Sequence, residues 1–207
     1  MKKPEVGKRD HKKAQTKIQI MNTFIKAMES QPLDKLRIED LCKEIGISKV
    51  TFFNYFSSKE QIIEYFIYKW QYDLCYELSQ NTLYGIDAVR RIFHSVSEHP
   101  AATNIMTTLM QFYLSHPNFD RMEVTPYEYY MFNEKAYEAG TPHIELPDIV
   151  SKALEQMGLP KAEIGPTVLN LISGFYGVAF VMHIAGGTDL NRAYDNFINS
   201  ILKLDQE

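Results

Sequence analysis

Apolar side chains return every three or four positions through most of this 207-residue chain, and the points where that rhythm stops divide it into helices. Ile18, Met21, Phe24, Ile25 and Met28 mark a first amphipathic helix over 15–30, broken by Pro32, with Leu33 and Leu36 covering its base. Ile38, Leu41, Cys42 and Ile45 repeat the spacing and predict a second helix, which Gly46 ends by taking the left-handed backbone. Ser48 is a good N-cap for a third. Ser57 and Glu60 have capping-box spacing and predict a fourth helix over about 58–78, through Ile62, Tyr65, Phe66, Lys69 and Trp70. Its far end enters the larger half of the chain, which makes it a connector.

Beyond residue 84 the pattern stays helical. Segments 86–98 and 101–116 are separated at Pro100 and closed at Pro117; 127–139 runs from Pro126 to Gly140; 147–157 ends before Gly158, with a loop at 141–146. Residues 164–185 are apolar nearly all round, and Gly174, Gly177 and Ala179 permit close helix approach. Leu190, Tyr194, Phe197, Ile198 and Ile201 then form a stripe on a last helix. No strand alternation, repeat or low-complexity block appears, so the expected class is all-α.

Helix, tight turn, helix is the arrangement in which DNA-binding proteins place a second helix in the major groove. Here that helix presents Lys49, Val50, Thr51, Asn54 and Tyr55, while Phe52 and Phe56 are expected in the core. The same pattern also describes an ordinary core hairpin. Charge separates the two readings. Residues 1–60 hold 13 Lys and Arg against 8 Asp and Glu, a balance of +5, whereas 61–207 hold 9 against 18, a balance of −9. A basic lobe on an acidic one suits a polyanion at the first lobe alone. The polar, basic stretch 1–13 reads as a frayed tail that could also reach phosphates or a minor groove. Lys59, in the first turn of the fourth helix, stands where a phosphate is favoured.

The run Ile38-x-x-Leu41-Cys42-x-x-Ile45-Gly46-Ile47-Ser48-x-x-Thr51-Phe52-Phe53-x-Tyr55-Phe56-x-x-Lys59-x-x-Ile62 resembles the DNA-binding domain of the tetracycline-repressor family of bacterial regulators. It departs from the family pattern at Val50, where glycine is frequent, at Phe53, where a phosphate-binding tyrosine is usual, and at Arg37, near a phosphate-binding Thr or Ser. The resemblance implies a three-helix helix-turn-helix domain over 1–60 and a helical effector-binding and dimerisation domain over 61–207. It implies DNA contacts from Arg37, Ser48, Lys49, Val50, Thr51, Asn54, Tyr55 and Lys59. Lys49 is suited to guanine or phosphate, Asn54 to adenine, and Val50 with the Thr51 methyl to thymine.

The second lobe is rich in Tyr, Phe and Met, which is ordinary core composition unless the lobe is hollow. The resemblance implies a pocket for a small, apolar effector, for which Met110, Tyr113, Tyr130, Tyr176, Phe180 and His183 are the candidate contacts. It also implies a homodimer through the last two helices, with Phe175, Val178, Met182, Tyr194, Phe197, Ile198 and Ile201 at the interface; an intramolecular hairpin is the alternative. Repressor is the commoner family behaviour.

Other chemistry has little support in the residues. Six histidines are scattered and no Gly-rich phosphate loop, nucleophile motif or paired-Cys motif occurs, so no enzyme, metal or cofactor is expected. Cys42 and Cys75 lie among apolar neighbours in predicted helices, which favours free thiols and a cytoplasmic location. Segment 168–185 nears the length of a short membrane span but holds Asn170, Ser173 and His183 without flanking Lys or Arg; a buried helix and no membrane are expected. The alternative function is an all-helical adaptor that binds protein and not DNA. Binding to mixed DNA that weakens with salt separates the two.

Overall fold

The computed structural model describes residues 1–80, 83–116 and 121–203, and among these every regular element is a helix. In order they are α1 (Lys8–Ala27), a 3₁₀ turn (Leu33–Lys35), α2 (Ile38–Ile45), α3 (Lys49–Phe53), α4 (Glu60–Gln80), α5 (Gly85–Ser97), α6 (Ala102–Ser115), α7 (Pro126–Phe132), α8 (Glu134–Glu138), α9 (Leu146–Gln156), α10 (Lys161–Ile184) and α11 (Leu190–Leu202). Pro117, the expected stop after α6, lies outside the described residues.

Apolar faces on α1, α2 and α3 converge with the first half of α4 into one core, in which Phe24, Phe52, Phe56 and Tyr65 are wholly buried. Their rings form a continuous path: Phe24 to Phe52 at 5.5 Å, Phe56 to Tyr65 at 5.7 Å, and Tyr65 to Phe132 of α7 at 4.9 Å between centroids. This core does not stop at residue 60; it takes in Ile105 and Leu109 of α6 and Ala136 of α8. A second core joins the far half of α4 to α5, α9, α10 and α11. Thus α4 is the shared wall of both.

Four local expectations change. The basic N-terminal stretch is not all tail, because α1 begins at Lys8. At the fourth helix the Ser57 N–H donates to Gln61 Oε1 at 2.8 Å, so Gln61 takes the place expected of Glu60. Segment 127–139 is two helices: Asn133 leaves helical backbone (φ −157°) and its side chain accepts the Ala136 N–H, capping α8. The apolar α10 is not a buried helix. Only Leu171, Gly174, Phe175 and Ala179 of it are buried, while Leu169, Val181 and Ile184 are about two-thirds exposed. By length and composition it is also the one helix among the described residues that could cross a membrane.

The partner face assigned from sequence is corrected in three positions. Phe175, Tyr194 and Ile198 are 2 % exposed or less. The Phe93 ring meets Phe175 at 5.2 Å and Tyr194 at 5.0 Å, and the Tyr194 hydroxyl donates to the Phe175 carbonyl at 2.8 Å. A buried tyrosine needs such an acceptor, which ties α11 to α10 within one chain. Val178, Met182, Phe197 and Ile201 instead line an outward groove between α10 and α11. Gly174 makes that groove possible, since a Cβ there would stand 2.0 Å from the Phe197 ring.

Candidate functional site

The turn before α3 is built as its residues dictate. Gly46 adopts φ 80°, and the Ile47 N–H reaches back to the Cys42 carbonyl at 2.9 Å, closing α2. Ser48 accepts the Thr51 N–H at 3.0 Å, and the two hydroxyls meet at 2.8 Å, opening α3. Phe52, wholly buried, fastens the inner side of this short helix. Lys49, Val50 and Asn54 are therefore exposed, with Thr51 and Tyr55 half-buried beside them. Phe53 is also exposed and sits edge-on against Phe52, one helical turn from Val50. Sequence reasoning treated Phe53 only as a lost tyrosine, although its spacing from Val50 places it on the same outer face.

The cations of this surface are held by the protein itself. Lys49 Nζ lies 2.5 Å from Glu39 Oε1 of α2, and this hydrogen bond holds the Glu39 carboxyl below the ordinary carboxylate range. Arg37 stands 3.7 Å from Asp40 at the start of α2. Both pairs are largely exposed, so a phosphate or base edge competes with a weak tie. Lys59 differs: its ammonium donates to the Leu33 and Leu36 carbonyls at 2.8 and 3.0 Å, satisfying the turn between α1 and α2. Two of its three protons thus serve the fold, which leaves one for another acceptor.

Between α4, α6 and α10 lie two adjoining cavities. One, of about 60 Å³, is lined mostly by apolar groups including Phe66, Trp70 and Met106; the other, of about 220 Å³, is lined by Glu64, Tyr68, Tyr113 and Arg121. Ile67, Gln71, Leu146 and Tyr176 border both. Gln71 Oε1 is 3.0 Å from His143 Nε2, and burial lowers the pKa of His143 and of His99 in the apolar cavity. Burial also pushes the Tyr176 hydroxyl up to about 12. A larger cleft of about 480 Å³ opens beside Cys75, between the end of α4 and the α8–α9 loop. It is farther along α4 from the N-terminal lobe.

Of the six effector contacts expected from sequence, Tyr113 and Tyr176 line these cavities and the rest do not. Tyr130 donates to Glu134 and stacks on Tyr127 at 5.9 Å. Met110 is half-buried on α6 away from both cavities, and Phe180 and His183 are on the exposed side of α10. The missed residues had a signal: Glu64, Ile67, Tyr68 and Gln71 follow one another at i, i+3, i+4 and i+7, a mixed polar and apolar face on a helix treated only as a lever.

One cluster joins the cavity lobe to the N-terminal lobe. Lys17 Nζ of α1 lies 2.5 Å from Glu128 Oε1 of α7 and 4.4 Å from the centre of the Tyr65 ring, while the Tyr65 hydroxyl donates to Glu128 at 2.9 Å. Glu128 also accepts the Thr125 N–H at 2.8 Å in a capping box. Burial raises its pKa, but the bonds from Lys17 and Thr125 outweigh that and hold it below the usual range. Among the described residues no group of His, Cys, Asp and Glu is arranged to hold a metal ion, and both cysteines are free and buried.

No curated protein matches the chain. Residues 20–66, from the middle of α1 to the first turns of α4, match the family model of bacterial regulatory proteins, tetR family. Among the described residues the chain is all-helical, and residues 20–66 carry a helix-turn-helix DNA-binding domain of the tetR type.

Proposed function

We propose that this protein is a homodimeric, effector-responsive repressor, with residues 1–60 reading DNA and 61–207 binding effector and partner. The observation that carries it is α3: capped by Ser48, pinned by Phe52, and outward with Lys49, Val50, Thr51 and Asn54. Ser48, Thr51 and Tyr55 would anchor phosphates, Arg37 and Lys49 would exchange their carboxylate partners for them, and Lys59 would offer its remaining proton. Val50 and Phe53 favour apolar contact with thymine methyls. The protein is read as a cytoplasmic DNA-binding protein, not an enzyme, and requires no cofactor.

Footprinting of the DNA beside the protein's own gene tests this reading. Protection of a near-palindromic site is expected, with log affinity falling linearly as log salt rises. Absence of sequence-selective protection at low salt sinks it.

The exposed stripe of α10 supports a second copy as its cover. Burying side chains such as Leu169, Val181 and Ile184 is worth roughly 1.5–3 kcal/mol each. Val181→Glu is expected to shift sedimentation from dimer to monomer and to abolish the footprint, because two half-sites need two linked reading helices. A variant that stays dimeric moves the interface elsewhere.

A further inference from the structure

The cavity pair between α4, α6 and α10 holds a buried carboxyl whose hydrogen-bonding needs are only partly met. Glu64 is 7 % exposed, and its Oε1 accepts the Met122 N–H at 3.1 Å. Its Oε2 is buried and, among the described residues, accepts no hydrogen bond. Desolvation raises the pKa of this carboxyl, against smaller lowering effects of the Met122 N–H, Arg121 and the Tyr68 hydroxyl. A buried carboxylate oxygen left without a donor costs free energy, and native structures keep few of them.

The surroundings define what would satisfy it. Arg121 is the one cation among the described residues lining either cavity, and its guanidinium is ion-paired with Glu145. His99 is held neutral by burial. Two carboxylates thus face one cation, and Glu64, the more deeply buried of the two, keeps an oxygen with no hydrogen bond. The rings of Phe66, Tyr68, Trp70 and Tyr176 line the same space. Aromatic faces and a carboxylate together attract a desolvated cation, whereas an anionic ligand would meet Glu64 and Glu145. The apolar cavity beside them, of about 60 Å³, has room for the end of a hydrocarbon chain.

We propose that the effector is a lipophilic amine, bound as its ammonium, with an N–H donating to Glu64 Oε2 and its apolar part entering the cavity lined by Phe66, Trp70 and Met106. The proposal rests on the effector reading of this lobe. It goes further by assigning the ligand a positive charge and Glu64 the role of its anchor.

Calorimetric titration of the full-length protein with hexylamine, hexanol and hexanoate at neutral pH tests it, using wild type, Glu64→Gln and Ile67→Trp. Glutamine keeps the acceptor for the Met122 N–H and the shape of the side chain, and Tm reports that the fold is retained. The amine is expected to bind wild type at least about tenfold tighter than the alcohol, the carboxylate most weakly, and Glu64→Gln to remove that advantage while leaving the alcohol within about twofold. Equal binding of amine and alcohol, tightest binding of the carboxylate, or indifference of the amine to Glu64→Gln overturns the proposal. Ile67→Trp fills the space shared by both cavities. An alcohol that binds wild type but not Ile67→Trp upholds the effector cavity even where the amine preference fails, and no binding of any probe at millimolar concentration overturns both.

Discussion

Two carboxylates are buried around the first half of α4, and the protein treats them in opposite ways. Glu128, at the junction of α1, α4 and α7, meets Lys17, the Tyr65 hydroxyl and the Thr125 N–H. Glu64, on α4 itself, has one backbone donor, lesser help from the Tyr68 hydroxyl and Arg121, and a buried oxygen beside a cavity with no hydrogen bond among the described residues. A charge whose needs are met inside the fold is cement for it. A charge whose needs are half met is available to something that arrives later. The first ties the DNA-facing lobe to the second lobe; the second lines the space where an effector is proposed.

The largest effect is expected from breaking the cemented pair. Glu128→Ala leaves the Lys17 ammonium buried without a counter-ion and should cost about 3–5 kcal/mol in urea unfolding. A loss below about 1 kcal/mol would mean that water reaches Lys17 and that the junction is not a sealed ion pair.

Acid separates the two groups by sign. The folded-state pKa of Glu128 is lowered, so its contribution is present above the ordinary carboxylate value and is lost as pH falls through the folded value. That of Glu64 is raised, so its penalty is present above the folded value and is relieved as pH falls toward the ordinary one. Unfolding curves from neutral to acid pH should therefore show wild type losing stability relative to Glu128→Gln but gaining it relative to Glu64→Gln. The second difference is the smaller, on the order of 1 kcal/mol at neutral pH, with Glu64→Gln the more stable. Parallel pH profiles for wild type and both variants would erase the contrast.

Much of the DNA-facing unit is legible in the sequence because its determinants are local. Gly46 must turn left-handed, Ser48 must cap, and Phe52 must point inward from a helix only five residues long. The partner face was harder, because Phe175 and Val178 lie one turn apart on the same apolar helix. Which of them is covered depends on Phe93 and Tyr194, contributed by α5 and α11. The effector contacts were hardest. Aromatic composition says that a lobe has large side chains, not whether they close on one another, as Tyr130 does with Tyr127, or leave a gap, as Tyr176 does.

The sequence by itself determined most of the helices, the turn between α2 and α3, most of the outward set on α3 and the charge contrast between the two halves. Each follows from spacing within a few residues or from counting. Only the tertiary structure decided that Lys59 donates to the Leu33 and Leu36 carbonyls, that Tyr194 belongs to the core, and that Glu64 is only partly satisfied while Glu128 is enclosed. Those outcomes depend on donors and rings brought from distant segments, and burial is a property of the assembled neighbours rather than of the residue itself.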